Sequence, residues 1–344
     1  MNLIGARKIV GANNYYLAFA TPAMRGAVIA AAAQMGLNVL RVPVFLDCGP
    51  ADPGTIPEGA WRGVYFQYWN IETNYPEVNP GENGLERLDH LIADAEHAGI
   101  QLILPLVNHW PDFGGTDRYV AWFDCASRDD FYRNPTIRGA YQSYVSQILT
   151  RTNTVTGRVY KDEPAILAWE LANEPRCDAS GGGVVLLGWV RELSRWVKQI
   201  DPNHLLGVGD EGFFGKHGVD CSALLDVPDI DFGTFHLYPQ AWRQRDPLNF
   251  GLRWIEQHLA AGRSAGKPML LEEYGVTTED RNSIYRAWLD AILEQDGAGD
   301  LAWMLASSDD ETGALYPDHD HFTFYSDADV PAICAHAHQM TLAS

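Results

Sequence analysis

The feature that most constrains this chain is a recurrence. Short apolar runs, each closed by a polar or aromatic residue, return along the 344 residues, with helical periodicity between most of them. They fall at 8–19, 37–45, 100–108, 165–173, 204–209, 230–237, 269–273 and 300–305. Strands buried on both faces of a parallel sheet read this way, because helices cover one face and a second packed layer covers the other. Eight such runs, with no linker and no break in composition, predict one (β/α)8 TIM barrel domain over residues 1–344, with elaborated βα loops. A doubly wound sheet is the rival arrangement.

The intervening segments carry the helices. Their expected spans are Met24 to Met35, with Gly36 as C-cap, Leu85 to Ala98, ended by Gly99, and Pro135 to Thr150. Val184 to Ile200, Leu252 to Ala265, Asp280 to Glu294 and a tail helix from near Val330 complete the set. Residues 46–83 show no sustained period. They are rich in Gly and Pro, with Trp61, Trp69 and Tyr75 interleaved, and read as a long functional loop.

A barrel of this kind places its active site at the C-terminal ends of its strands, so the residue closing each run matters most. Strand two offers Arg41, strand three Asn108 and His109, strand four Asn173 and Glu174, and strand six His236 and Tyr238. Strand seven offers Glu272 or Glu273, of which alternation would turn only one inward, and strand eight Trp303. Two strand-end carboxylates set among aromatic rings and neutral donors match the needs of glycoside hydrolysis. That reaction takes an acid for the leaving oxygen and a base or nucleophile at the anomeric carbon. The formal net charge of −20 repels nucleic acid and anionic lipid and suits a neutral substrate.

The segments Trp169-Glu-Leu-Ala-Asn-Glu-Pro-Arg-Cys177 and Leu271-Glu-Glu-Tyr-Gly275 resemble the acid/base and nucleophile strands of family-five glycoside hydrolases of clan A, in particular β-mannanases. The likeness continues through Val64-Tyr-Phe-Gln-Tyr-Trp69, Gly84-Leu-Glu-Arg-Leu-Asp89, Val107-Asn-His-Trp110, Asp112-Phe-Gly-Gly115, Asn134-Pro-Thr-Ile-Arg138 and Phe235-His-Leu-Tyr-Pro239. One departure is His109, which stands where a second Asn is expected.

The resemblance implies that Glu174 is the acid/base and Glu273 the nucleophile, leaving Glu272 as an outward or packing residue. It further implies Asn173 on the sugar 2-hydroxyl, Arg41 and Tyr238 beside the nucleophile, and His236 beside the acid/base. Trp303 would lie under the reacting sugar, with Trp110 and Arg176 on the leaving-group side. The implied activity is retaining hydrolysis of β-1,4-mannosidic bonds in mannan or manno-oligosaccharides, by a monomer without metal or cofactor. If the segments 70–80 and 309–324 close one end of the cleft, exo-mannosidase or transglycosylase action follows instead. Another β-glycan such as cellulose, or an inactive carbohydrate-binding barrel, are further alternatives.

Other signals point elsewhere. Gly207-Val-Gly-Asp-Glu-Gly212 matches a nucleotide-binding spacing but is not followed by a helix. His336-Ala-His338 reads as surface histidines, since i and i+2 do not share a helical face, and Asp318-His-Asp-His321 as a solvated or sugar-contacting loop. Five scattered cysteines without a C-x-x-C pair argue against a disulfide framework. No apolar stretch reaches the roughly 18 residues of a membrane helix. Residues Met1 to Val10 lack a signal's apolar centre, so the expected location is extracellular if a leader has been removed and cytoplasmic otherwise.

Overall fold

A computed structural model describes residues 8–49, 63–179 and 181–343. The elements run in chain order: β1 (Ile9–Asn13), α1 (Pro22–Gln34), β2 (Val39–Arg41), β3 (Gln67–Asn70), β4 (Tyr75–Val78), α2 (Leu85–Ala98), β5 (Gln101–Pro105), α3 (Gly115–Trp122) and α4 (Asp130–Arg133). They continue with α5 (Pro135–Leu149), β6 (Ile166–Glu170), α6 (Gly182–Ile200), β7 (Leu205–Gly207), β8 (Phe214–Lys216), β9 (Val219–Asp220), α7 (Cys221–Leu225) and β10 (Gly233–Leu237). The last are α8 (Pro247–Ala265), β11 (Met269–Tyr274), α9 (Arg281–Glu294), β12 (Gly299–Ala302) and α10 (Pro331–Ala343).

Eight strands pair in parallel in the order β10-β11-β12-β1-β2-β5-β6-β7. The seam between β7 and β10 is bridged by Asp231 N donating to Leu206 O at 2.8 Å and His236 N to Glu211 O at 3.2 Å. The result is a nearly closed (β/α)8 barrel. Each strand or its immediate flank sends one apolar side chain to a common inner layer: Ile9, Val39, Ile103, Ala168, Leu205, Phe232, Leu270 and Leu301. A packed bottom layer seals the barrel against water and leaves its upper half to polar groups.

Helix starts follow local chemistry. Thr21, Asn134 and Asp246 each cap a helix with a side-chain oxygen, and Pro22, Pro135 and Pro247 sit in the first turn, where no backbone donor is required. These caps explain why α1 begins two residues, and α8 five, before the spans expected from apolar spacing. Six of the eight strands end before the runs that encode them, which continue past the ladder into the cleft wall, whereas β10 ends with its run and β11 one residue beyond it. The expected loop at 46–83 contains an antiparallel hairpin, β3 with β4. Trp69 and Tyr75 pack there against Phe123, while Trp61 lies outside the described residues.

Strand β11 departs from simple alternation. Phe235 pairs with Leu271 but His236 pairs with Glu273, so Glu272 is an extra residue in a β-bulge. Both Glu272 and Glu273 are therefore turned toward the barrel axis. Glu272 is not outward-facing: it is fully buried against Arg41 and His236.

Candidate active site

The strand ends enclose a cleft of about 780 Å³, lined among others by Trp110, Asn173, Glu174, Tyr238, Glu273 and Trp303. Glu174 sits just past β6 with φ of 49°, a left-handed conformation unusual for a residue with a Cβ, and its N–H donates to Gly209 O at 2.8 Å. Gly209 is the residue that permits this approach. Its φ is 82°, and a Cβ there would fall 2.1 Å from Ala172 O. Strain of about 1 kcal/mol held at one carboxylate is what a preorganised site shows.

Glu174 is held on both oxygens: Oε1 lies 2.7 Å from His236 Nδ1, and Oε2 accepts from Trp110 Nε1 at 2.5 Å. Burial favours its neutral form, but the His236 hydrogen bond and charge, Trp110 and Arg176 outweigh burial and bring its pKa down to about 2. The imidazole of His236 is pushed the other way, well above its ordinary value: burial opposes the charge, and Glu273, Glu174 and Glu272 favour it. These opposite shifts place the proton of the pair on the His236 side.

Glu273 receives Arg41 Nη1 on Oε1 at 2.6 Å and the Tyr238 hydroxyl on Oε2 at 2.8 Å. Burial raises its pKa, His236 and Arg41 pull it down, and the neighbouring Glu174 charge adds to the rise. One carboxylate oxygen each of Glu174 and Glu273 and one ring nitrogen of His236 lie within 4.8 Å of one another. That is the only potential metal-ligand cluster found among the described residues. The Arg41 guanidinium already supplies a fixed cation at Glu273, which disfavours a second one.

The remaining residues expected in the site divide into two groups. Arg41 and His236 are buried and lie outside the cleft lining, acting on it through the two carboxylates. Asn173, Trp110, Arg176, Tyr238 and Trp303 line it. Asn173 accepts from Arg41 Nη2 at 2.8 Å and donates to Asn108 Oδ1 at 3.0 Å. Trp303 is oriented by Asp320, whose Oδ2 accepts from Nε1 at 2.6 Å, and stacks at 24° on Tyr15. Arg176 lies over the Trp110 ring at 4.8 Å.

Sequence reasoning missed Glu211, which takes Arg176 Nε and Nη2 at 2.6 Å each and lines the cleft. It lies beyond the fifth barrel strand, two residues past the apolar run at 204–209, so a search confined to the residues closing each run stops short of it. His109 is buried beside Arg128 and Arg176, and burial foremost lowers its pKa to about 4, so it is a neutral ring packed edge-on to Trp110. His336 is not a surface histidine. It is buried on the outer wall of β12, 2.9 Å from Asp300, whereas His338 is exposed. The five cysteines are unpaired, and no described helix is long and apolar enough to cross a membrane.

Residues 78–292 match the family model described as "GH family 5 beta-mannosidase-like". The chain belongs to glycoside hydrolase family 5. The matched segment holds seven of the nine site residues expected from the sequence, from Trp110 to Glu273, while Arg41 and Trp303 lie outside it. Among curated family relatives, the mannan endo-1,4-beta-mannosidase A of Podospora anserina is 37% identical over 92% of this chain and 82% of its own length. The "Probable mannan endo-1,4-beta-mannosidase F" of Aspergillus flavus is 38% identical over 85% of this chain, which spans only 62% of that protein. The solved endo-1,4-beta-D-mannanase of Thermotoga petrophila superposes with a TM-score of 0.84 at 38% identity, covering 97% of this chain and 99% of its own.

Proposed function

We propose that this chain is a retaining β-mannanase, one catalytic domain that cleaves β-1,4-mannosidic bonds by double displacement, with Glu273 as nucleophile and Glu174 as acid/base. The observation that carries the reading is the approach of two strand-end carboxylates to within 4.8 Å. Retaining enzymes hold these groups roughly 5–5.5 Å apart, whereas inverting ones leave room for water. Family membership and the names of the relatives support the same substrate class.

Each group has a part in the chemistry. Arg41 and Tyr238 keep Glu273 ionised and aimed, so that it can attack the anomeric carbon. Entry of the sugar displaces water from the cleft, and the proton held at His236 Nδ1 passes to Glu174, which then protonates the departing glycosidic oxygen. In the second step Glu174 takes a proton from the attacking water and the bond to Glu273 breaks. The Trp303 ring presents a flat face to the apolar side of a sugar, and Trp110 with Arg176 and Glu211 forms the far wall.

Endo action is the favoured mode. None of the hairpin residues 67–78 lines the cleft, so this insertion does not close it, although His319, Asp320 and Phe322 of the 309–324 segment do form one wall. The time course of products from mannohexaose tests this: mixed oligomers are expected, and release of mannose alone would overturn it in favour of exo action. Azide rescue tests the assignments. An α-mannosyl azide is expected from Glu273→Ala and a β-mannosyl azide from Glu174→Ala, and the reverse pattern would exchange the roles.

A further inference from the structure

Beneath the cleft lies a second pair of acids that the reaction as drawn does not use. Glu170, the last residue of β6, and Glu272, the bulged residue of β11, are both fully buried in the barrel. The two carboxyl groups are near neighbours, and each bears on the other's charge. One oxygen of each is engaged elsewhere: Glu170 Oε2 accepts from Arg41 Nε at 2.9 Å, and Glu272 Oε2 lies 3.5 Å from Arg41 Nη2 and 3.3 Å from His236 Nε2. The other oxygens, Oε1 of both, are buried with no donor in reach. Two neighbouring ionised carboxylates supply only acceptors, and burial foremost holds Glu170 well above the usual carboxylate range, so the pair retains a proton. Arg41 contacts both, and it also serves Glu273.

We propose that Glu170 and Glu272 are positioning residues for the acid/base: the pair shares one proton and carries one charge, and Glu272 holds His236 with its Nε2 protonated, leaving Nδ1 free to exchange a proton with Glu174. The inference rests on the assignment of Glu174 as acid/base. The transfer is balanced: imidazolium and carboxylate become neutral imidazole and carboxylic acid, and the Nε2–H bond to Glu272 is kept in both states. Without Glu272 the neutral ring could place its proton on Nδ1, where it would oppose a protonated Glu174.

The bulge gives this arrangement its structural cause. Ordinary alternation would leave strand β11 one inward carboxylate, and the extra residue gives it two, one for the cleft and one for the layer below. Besides Glu272, other ionisable groups bear on the ring: Glu174 and Glu273 from the cleft, and Asp210 and Glu211 after β7. Burial foremost raises both Asp210 and Glu211 to about 7. Glu211 is committed to Arg176, and Asp210 accepts from Gly212 N at 3.1 Å, so neither acid makes a hydrogen bond to the His236 ring.

The test is the pH profile of kcat/KM for Glu272→Gln on a manno-oligosaccharide and on a 2,4-dinitrophenyl β-mannoside, whose leaving group needs little acid assistance. Removing the Glu272 charge should lower the proton affinity of the His236–Glu174 pair. The basic limb is therefore expected to move to lower pH by about one unit. The oligosaccharide should lose about tenfold or more, and the aryl mannoside much less. Glu170→Gln, which keeps the shape of the neutral partner, should move the limb less. An unmoved limb with equal losses on both substrates would reduce Glu272 to a structural role and overturn the proposal. If Glu272→Gln does not fold, ¹⁵N NMR of histidine-labelled wild-type protein decides the matter, with the signal assigned by its loss in His236→Asn. Nε2 should stay protonated across the pH range of the folded state, and a neutral Nδ1–H ring would refute the proposal. That spectrum is independent of whether Glu174→Ala abolishes hydrolysis, so failure of the acid/base assignment would be recognised separately.

Discussion

Strands β6 and β11 deliver two pairs of glutamates at two depths of the same barrel. Glu174 and Glu273 meet in the cleft, each oxygen facing a side-chain donor or His236, whereas Glu170 and Glu272 meet one layer lower, sealed from solvent and short of donors. The residue type is identical and the surroundings decide its task. Facing donors and open space, a carboxylate can take or give a proton to a sugar. Facing another carboxylate, it must keep a proton and can act only on its neighbours. Arg41 touches both levels, which ties the chemistry of the upper pair to the protonation of the lower one.

The sharpest break in this comparison should come from the upper pair. Glu273→Ala removes the proposed attacking atom, and kcat on mannan should fall on the order of 10⁵-fold, restored in part by azide. A loss no larger than that from Glu272→Gln would dissolve the distinction between levels. Glu174→Ala comes next, with about a 10³-fold loss on oligosaccharides and a much smaller one in the first step on a dinitrophenyl mannoside. Pre-steady-state release of dinitrophenol measures it directly.

Arg41→Met tests the link between levels. It strands three carboxylates beside an apolar side chain, and chemical denaturation should show destabilisation by about 3–5 kcal/mol. A change below about 1 kcal/mol would mean that the acids had already redistributed their protons without it.

A gentler test uses pH alone. A nucleophilic role for Glu273, as proposed, needs it ionised, and its pKa is raised chiefly by burial. The acid limb of kcat/KM should therefore lie above that of an ordinary carboxylate, activity being lost as pH falls through the raised value. The smallest expected effect serves as a control. His336 and Asp300 form a histidine–carboxylate pair outside the barrel, and burial opposes but Asp300 and Asp290 favour the charged ring, raising the His336 pKa. Because the folded value exceeds the unfolded one, this pair stabilises fully below the unfolded pKa and ceases to do so as pH rises through the folded one. His336→Ala should cost about 1–2 kcal/mol at low pH, less at high pH, and nothing in the shape of the activity profile.

Much of the upper level was legible in the sequence. Eight apolar runs announced the barrel, and the residues closing them supplied both cleft carboxylates and part of the cleft wall, because a strand end is a position that spacing alone can find. The lower level was not. Alternation puts one of two adjacent glutamates inside, and only the bulge at Glu272, a property of the pairing with β10, brings in both. Glu170 was hidden for the opposite reason: it lies within the ladder, where an apolar run gives no sign that an acid faces Arg41. The β3–β4 hairpin escaped because Trp69 and Tyr75 pack against Phe123, and no regular period results from such contacts.

The central claim, double displacement at Glu273 assisted by Glu174, is tested most directly by proton NMR of the anomeric centre during the first minutes of manno-oligosaccharide hydrolysis. Double displacement forms the β-anomer of the new reducing end first, which mutarotates afterwards to the equilibrium mixture. Initial appearance of the α-anomer would mean single displacement by water and would contradict it.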